Sequence, residues 1–250
     1  MENSTFYNLP PSPNPVLTPV SLTDGTGIIF ERLPQQLSNQ IDLELKSLTQ
    51  SNPKKANEYL AGHIEKEFIM PPFQELTNYL NNKAIKYSEI YPREINDLIS
   101  KISGVHPNLE KQINKNPKDM WERGILTPEK CKYQISELWV NLQEKYEYNP
   151  MHTHAGLYSF VIWHYIPYLM EDEKKFGPGK SLNSRGNHNG KFHFFYCNRS
   201  VQSVDIPIDK KWNGMMAIFP SWLHHEVRPF YSSDEFRVTV AGNIFLELKY

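Results

Sequence analysis

Hydrophobic positions divide the chain into two regimes. Up to about residue 130 they recur mostly at helical spacing, and from residue 131 onward they fall in short alternating runs separated by turn residues. Residues 27–33 (GIIFERL) form a first short apolar run, which predicts a strand. After it, Leu37, Ile41, Leu43, Leu45 and Leu48 predict a helix over residues 35–48. From residue 54 to 102 the pattern stays helical, with Leu60, Ile64 and Phe68 in one stripe and Leu76, Tyr79, Leu80 and Ile85 in another. Pro71 and Pro72 break it. The first 25 residues, rich in Pro, Ser, Thr and Asn, read as an extended surface tail that only Phe6 and Tyr7 could anchor. A Pro- and Lys-rich stretch over residues 106–118 reads as a connector.

Beyond Cys131 the predicted strands are residues 133–142, 158–166, 191–197, 201–206, 215–219, 225–230 and 236–246, with one more leading into His152. Eight short strands in about 120 residues match the requirement of a double-stranded β-helix, or jelly roll. The expected fold is therefore mainly β with an α-rich N-terminal part. The expected divisions are a tail over 1–25, an α-rich region over 26–130 packed on the core, and a jelly-roll core over 131–250.

Composition narrows the functional classes. With 39% hydrophobic and 22% charged residues the chain is globular rather than disordered. Its 27 Lys and Arg against 28 Asp and Glu leave a net charge of -1, so no strong field draws it to nucleic acid or an anionic membrane. Cys131 and Cys197 stand far apart with no C-x-x-C partner, which argues against a disulfide framework or thiolate zinc site and suits a reducing cytoplasm. No run approaches eighteen apolar residues and the N-terminus lacks a signal-peptide pattern, so neither secretion nor membrane spanning is expected.

Seven of the nine histidines fall in the β half. His152 and His154 are two residues apart, so on an extended strand they share a face and can converge on one ion. Alone, an H-x-H unit is a weak signal; a second cluster, FPSWLHHEV, strengthens it. There His224 and His225 point to opposite faces of a strand, so only one can look inward. Further on, Arg237 lies in the apolar run FRVTVAGNIF, where an unpaired guanidinium would be costly, and it therefore calls for an anion. Thr239 shares its face, and the pair could bind a dicarboxylate; a plain salt bridge to Glu226, Asp234 or Glu235 is the competing reading. His164, on one face with Phe160, Ile162 and Ile166, reads as a hydrogen-bonded core histidine, and His188 as an exposed loop residue. His193 shares a face with Phe195 and is open to either reading.

Taken in order, WVNLQEKYEYNPMHTHAGLYSFVIWHYIP, GMMAIFPSWLHHEVRPF and EFRVTVAGN resemble the 2-oxoglutarate and Fe(II)-dependent oxygenases, in particular an uncharacterised group related to prolyl 4-hydroxylases. NEYLAGHIEKEF resembles the same group's N-terminal region. The resemblance implies Fe(II), 2-oxoglutarate and O₂, with His152, His154 and His225 as metal ligands and the distal carboxylate of 2-oxoglutarate on Arg237 and Thr239. Asn141 and Ser159 join them as candidate cosubstrate contacts, and Trp139, Tyr148 and Trp163 as pocket walls. The implied outcome is a hydroxylation.

One departure stands out, because most of the superfamily carries H-x-D or H-x-E where this chain has His152-Thr153-His154. Either His154 is the third ligand, or it lines the pocket while water or another acid completes the shell. Three neutral imidazoles leave the ion its full charge and weaken the preference for iron over zinc, nickel or copper. Two alternatives follow: a three-histidine dioxygenase that dispenses with 2-oxoglutarate, and a non-catalytic metal- or ligand-binding jelly roll. The substrate stays open among protein side chains, free amino acids, nucleobases and small metabolites. The helical half is expected first to cover a sheet, and otherwise to build the substrate entrance or a homodimer contact.

Overall fold

A computed structural model describes residues 18–22, 26–58, 60, 62–91, 131–176, 188–198 and 200–248. The N-terminal elements are β1 (Thr18–Ser21), β2 (Gly27–Arg32), α1 (Gln35–Gln50), β3 (Glu67–Ile69) and α2 (Gln74–Ile90). Then come β4 (Cys131–Gln143), β5 (Asn149–His152), β6 (Tyr158–Tyr165), a one-turn helix α3 (Met170–Glu173), β7 (Phe192–Asn198), β8 (Ser200–Ile206), β9 (Met215–Pro220), β10 (His224–Val227) and β11 (Arg237–Leu248).

The strands form a seven-stranded sheet, β1-β2-β9-β6-β11-β4-β3, and a four-stranded one, β5-β10-β7-β8. Strands β4 to β11 thus distribute themselves four to each sheet, and every pairing is antiparallel. The fold is mostly β and compatible with a jelly roll. Each predicted β run after Cys131 has its strand, though the run at 225–230 ends at Val227, two residues before Pro229.

One expectation fails in the N-terminal half. The described residues of 54–72 are not helical: they carry β3 and two isolated bridges, Lys55 to Phe68 and His63 to Tyr148, and the helix starts only after Pro71–Pro72. The open edge of β4 supplies the hydrogen-bond partners that a helix would have made internally, and Glu67–Ile69 pair with Asn141–Trp139 along it. Leu60 and Ile64 accordingly face one pocket and Phe68 another. The described residues of the N-terminal part give two helices, of 16 and 17 residues, beside three short strands, all in the large sheet. Phe6 and Tyr7, residues 92–102 and the proposed connector at 106–118 lie outside the described residues.

The two helices cover the outer face of the large sheet. Ile41, Leu76, Leu80, Ala84 and Tyr87 pack with Tyr158, Phe160, Ile162, Met216, Ile218 and Ile244. Polar ties fix the layer: Lys83 Nζ pairs with Glu31 at 2.7 Å, Tyr87 Oη donates to Gly27 O at 2.7 Å, and His164 Nε2 meets Asp42 at 2.8 Å. A second core lies between the sheets, where Trp139, Val161, Trp163 and Ala241 face Phe192, Phe194 and Val204. No helix among the described residues is long and apolar enough to cross a membrane.

Leu80 is fully buried while Ile85, on the same helix, is 45% exposed. Leu80→Ala is therefore expected to lower stability by about 2–5 kcal/mol in urea unfolding and Ile85→Ala by about 0.5 kcal/mol at most. Equal effects would mean that α2 does not pack as described.

Candidate metal centre

The site is assembled at the mouth between the sheets by the register of β10. His225 pairs with His152 of β5 on one side and with Phe194 of β7 on the other. His154 sits just past β5, its amide donating to Ser221 O at 2.9 Å. Gly156 turns the chain there with φ of 101°, a conformation that L side chains rarely adopt, and an added Cβ would come within 3.1 Å of Ile244 O. The three rings gather closely, with centroids 4.9 Å apart for His152 and His154, 4.4 Å for His152 and His225, and 5.1 Å for His154 and His225.

One ring nitrogen from each histidine lies within 4.8 Å of the other two, with no carboxylate in the group among the described residues. His152 Nδ1 contacts Pro150 O at 2.6 Å and His225 Nδ1 contacts Leu223 O at 2.9 Å. Those contacts hold the rings in the tautomer that leaves Nε2 bare, as metal-binding histidines are usually held. Burial lowers the affinity of all three for protons: His152 moves down, His154 falls to about 3 with His152 adding repulsion, and His225 lies well below its ordinary value. Neutral, oriented imidazoles suit a divalent transition ion, and this donor set fits iron without supplying the usual carboxylate.

In the same pocket, Arg237 is 2% exposed. Gln143 Oε1 accepts from its Nε at 3.0 Å and Nη2 at 2.5 Å, Arg228 O accepts from Nη2 at 3.0 Å, and Tyr168 Oη accepts from Nη1 at 2.7 Å. All are neutral acceptors. The acids that the sequence offered as salt-bridge partners are occupied elsewhere: Glu226 with His193 and Arg228, Asp234 with Lys145, Glu235 with Tyr165. A buried guanidinium without a carboxylate partner among the described residues is a ready receptor for an anionic ligand.

Thr239 and Asn141 face the same space, joined by a 3.2 Å hydrogen bond from Asn141 Nδ2, and Trp139 and Trp163 line it. Ser159 is outside this lining and donates to Asn243 at 2.8 Å, while Tyr148 stacks on His63. His224 is exposed, and His188 and His193 meet at a different cluster. Sequence reasoning missed Gln143 and Tyr168, the partners of Arg237. It missed Glu67 too, whose buried Oε1 has no hydrogen-bond partner and whose carboxyl burial and Glu147 push up to about 7. Gln143 could have been found, since it follows Asn141 by two on one strand face; Glu67 reaches the pocket, and Tyr168 reaches Arg237, only through tertiary packing.

Residues 137–243 match the model of a family described as putative 2OG-Fe(II) oxygenase. Among solved structures, a Pseudomonas putida prolyl-4-hydroxylase aligns at 13% identity and TM-score 0.45, covering 87% of this chain and 92% of its own. An oxidoreductase of the 2OG-Fe(II) oxygenase family from Burkholderia pseudomallei aligns at 13% identity and TM-score 0.41, covering 87% and 84%. No curated protein matches the chain. The matched segment holds all three clustered histidines and Arg237, and over those residues the chain is similar to a family whose description implies Fe(II) and 2-oxoglutarate.

Proposed function

We propose that the protein is a hydroxylase in which His152, His154 and His225 hold Fe(II) and Arg237 with Thr239 receives the distal carboxylate of 2-oxoglutarate. The observation that carries this reading is Arg237, a buried cation with only neutral partners, opening into the same pocket as the three histidines. Iron, when bound, supplies the O₂ activation that couples decarboxylation of 2-oxoglutarate to oxidation of a C–H bond. The chain's own residues position the reactants. Gln143 and Tyr168 hold the guanidinium over Phe230, its carbon 5.4 Å from the ring centroid, so the carboxylate would meet a cation fixed in place. Phe192 stacks on His225 at 5.5 Å and Phe219 packs edge-on at 5.0 Å, which keeps water off that ligand. The substrate C–H would approach along the cleft lined by Pro71, Pro72, Trp139 and His154, beside the metal rather than through the anion cage.

The test is an anaerobic titration of the apoprotein with Fe(II) and 2-oxoglutarate, following the weak metal-to-ligand charge-transfer absorption. Wild type is expected to develop the band, and Arg237→Gln to need at least about thirtyfold more 2-oxoglutarate, the equivalent of about 2 kcal/mol for a lost buried charge partner. A thermal melt checks that the variant is folded, since Arg237 also ties three segments together. No band in folded wild type would rule the cosubstrate out.

The same band gives the pH dependence. Because the folded imidazoles release their protons below the ordinary histidine range, proton competition for the metal is expected only as pH falls toward those lowered values. Band amplitude should be equal at about pH 7.5 and about pH 6. Loss of half the amplitude near pH 6.5, the unperturbed value, would mean that the three rings ionise as if exposed.

A further inference from the structure

A second ligand-like cluster lies on the outer face of the small sheet. His193 on β7 pairs across the sheet with Asp205 on β8 and with Glu226 on β10, so these side chains share a face. That face is the reverse of the one carrying Phe194 and His225. His188 reaches the same spot from the segment before β7. His188 Nδ1 is 3.4 Å from His193 Nε2 and 3.6 Å from Asp205 Oδ2, and His193 Nε2 is 3.7 Å from Asp205 Oδ1.

Those separations are too long for good hydrogen bonds and close to the ligand-to-ligand spacing, about 3.3 Å, around a tetrahedral ion with bonds near 2.0–2.1 Å. The rest of the arrangement points the same way. His193 is 2% exposed, and its Nδ1 contacts Glu226 Oε1 at 2.8 Å, while Arg228 Nε holds the same oxygen at 2.8 Å. A carboxylate so fixed orients the ring and leaves Nε2 facing His188 and Asp205, the carboxylate–histidine–metal relay found behind many zinc ligands. Lys191 Nζ stands 3.4 Å from Asp205 Oδ2, farther than a tight charge-assisted bond, and balances that charge in the metal-free chain.

We propose that His188, His193 and Asp205 form a second site for a divalent transition ion, zinc by its ligand chemistry, with the fourth position left to water. Its role is structural. The ion would clamp His188 to the sheet, and with it Asn189 and Gly190. Gly190 O accepts from Tyr168 Oη at 2.9 Å, and that hydroxyl is the acceptor of Arg237 Nη1. Asn189 Nδ2 donates to Phe176 O at 2.8 Å, so the clamped segment also carries the end of the preceding turn.

The experiment uses the full chain with His152→Ala and His225→Ala, which removes the first centre and so makes the outcome independent of the proposed oxygenase chemistry. Titration with Co²⁺ should show about one bound equivalent with the intense visible bands of a four-coordinate ion, displaced by Zn²⁺. Adding His188→Ala, or separately Asp205→Asn, should abolish it, and Zn²⁺ should raise the melting temperature only where the three ligands are intact. His188 is half-exposed, so its loss should leave the metal-free melt unchanged. If the double variant does not fold, the same loss is read as two Co²⁺ equivalents falling to one between wild type and His188→Ala. No bound equivalent in the folded double variant, or binding that survives both ligand substitutions, would overturn the site.

Discussion

Strand β10 is four residues long, and its register between β5 and β7 decides what the small sheet presents on each face. Pairing His225 with His152 and with Phe194 turns His225 inward beside the other two imidazoles and turns Glu226 outward beside His193. Side chains alternate along a strand, so a one-residue slip would put His224 into the pocket and dismantle both clusters at once. The register is held by apolar burial rather than by strand length. Phe192, Phe194, Phe219 and Leu223 all pack at the inner face, and each is 4% exposed or less. Pro220 and Pro229 bracket the strand and limit how far it can slide.

Around that strand the pocket divides into a histidine end and an arginine end with different physics. At the histidine end burial works against protonation of the rings. At the arginine end the buried guanidinium meets neutral acceptors from four places: Gln143, Tyr168, Gly190 and Arg228. Hydrogen bonding of this kind keeps a cation oriented without cancelling its charge. The large sheet makes both ends possible, since β4 and β11 run side by side and place Gln143 opposite Arg237 and Asn141 opposite Thr239.

Much of this was legible in the sequence. Turn residues and alternation gave the β strands, because a half-buried antiparallel strand leaves that signature directly. The clustered histidines and Arg237 stood out because such residues are out of place in apolar runs. What could not be read was long-range. The segment around Leu60, Ile64 and Phe68 has helical spacing, yet it lies along the edge of β4, where unpaired backbone groups outweigh local propensity. Glu67 enters the pocket, and Tyr168 reaches Arg237, from elements whose docking no spacing rule encodes, and His188 and His193 gained a shared partner, Asp205, only through the pairing of β7 with β8.

The most direct measurement is an anaerobic crystal structure of the Fe(II) and 2-oxoglutarate complex, with anomalous data collected on both sides of the iron absorption edge. An iron peak within about 2.0–2.3 Å of Nε2 of His152, His154 and His225, and a carboxylate of 2-oxoglutarate on Arg237, is the expected result. Iron in the pocket with His154 turned away, or 2-oxoglutarate bound without touching Arg237, would contradict the account.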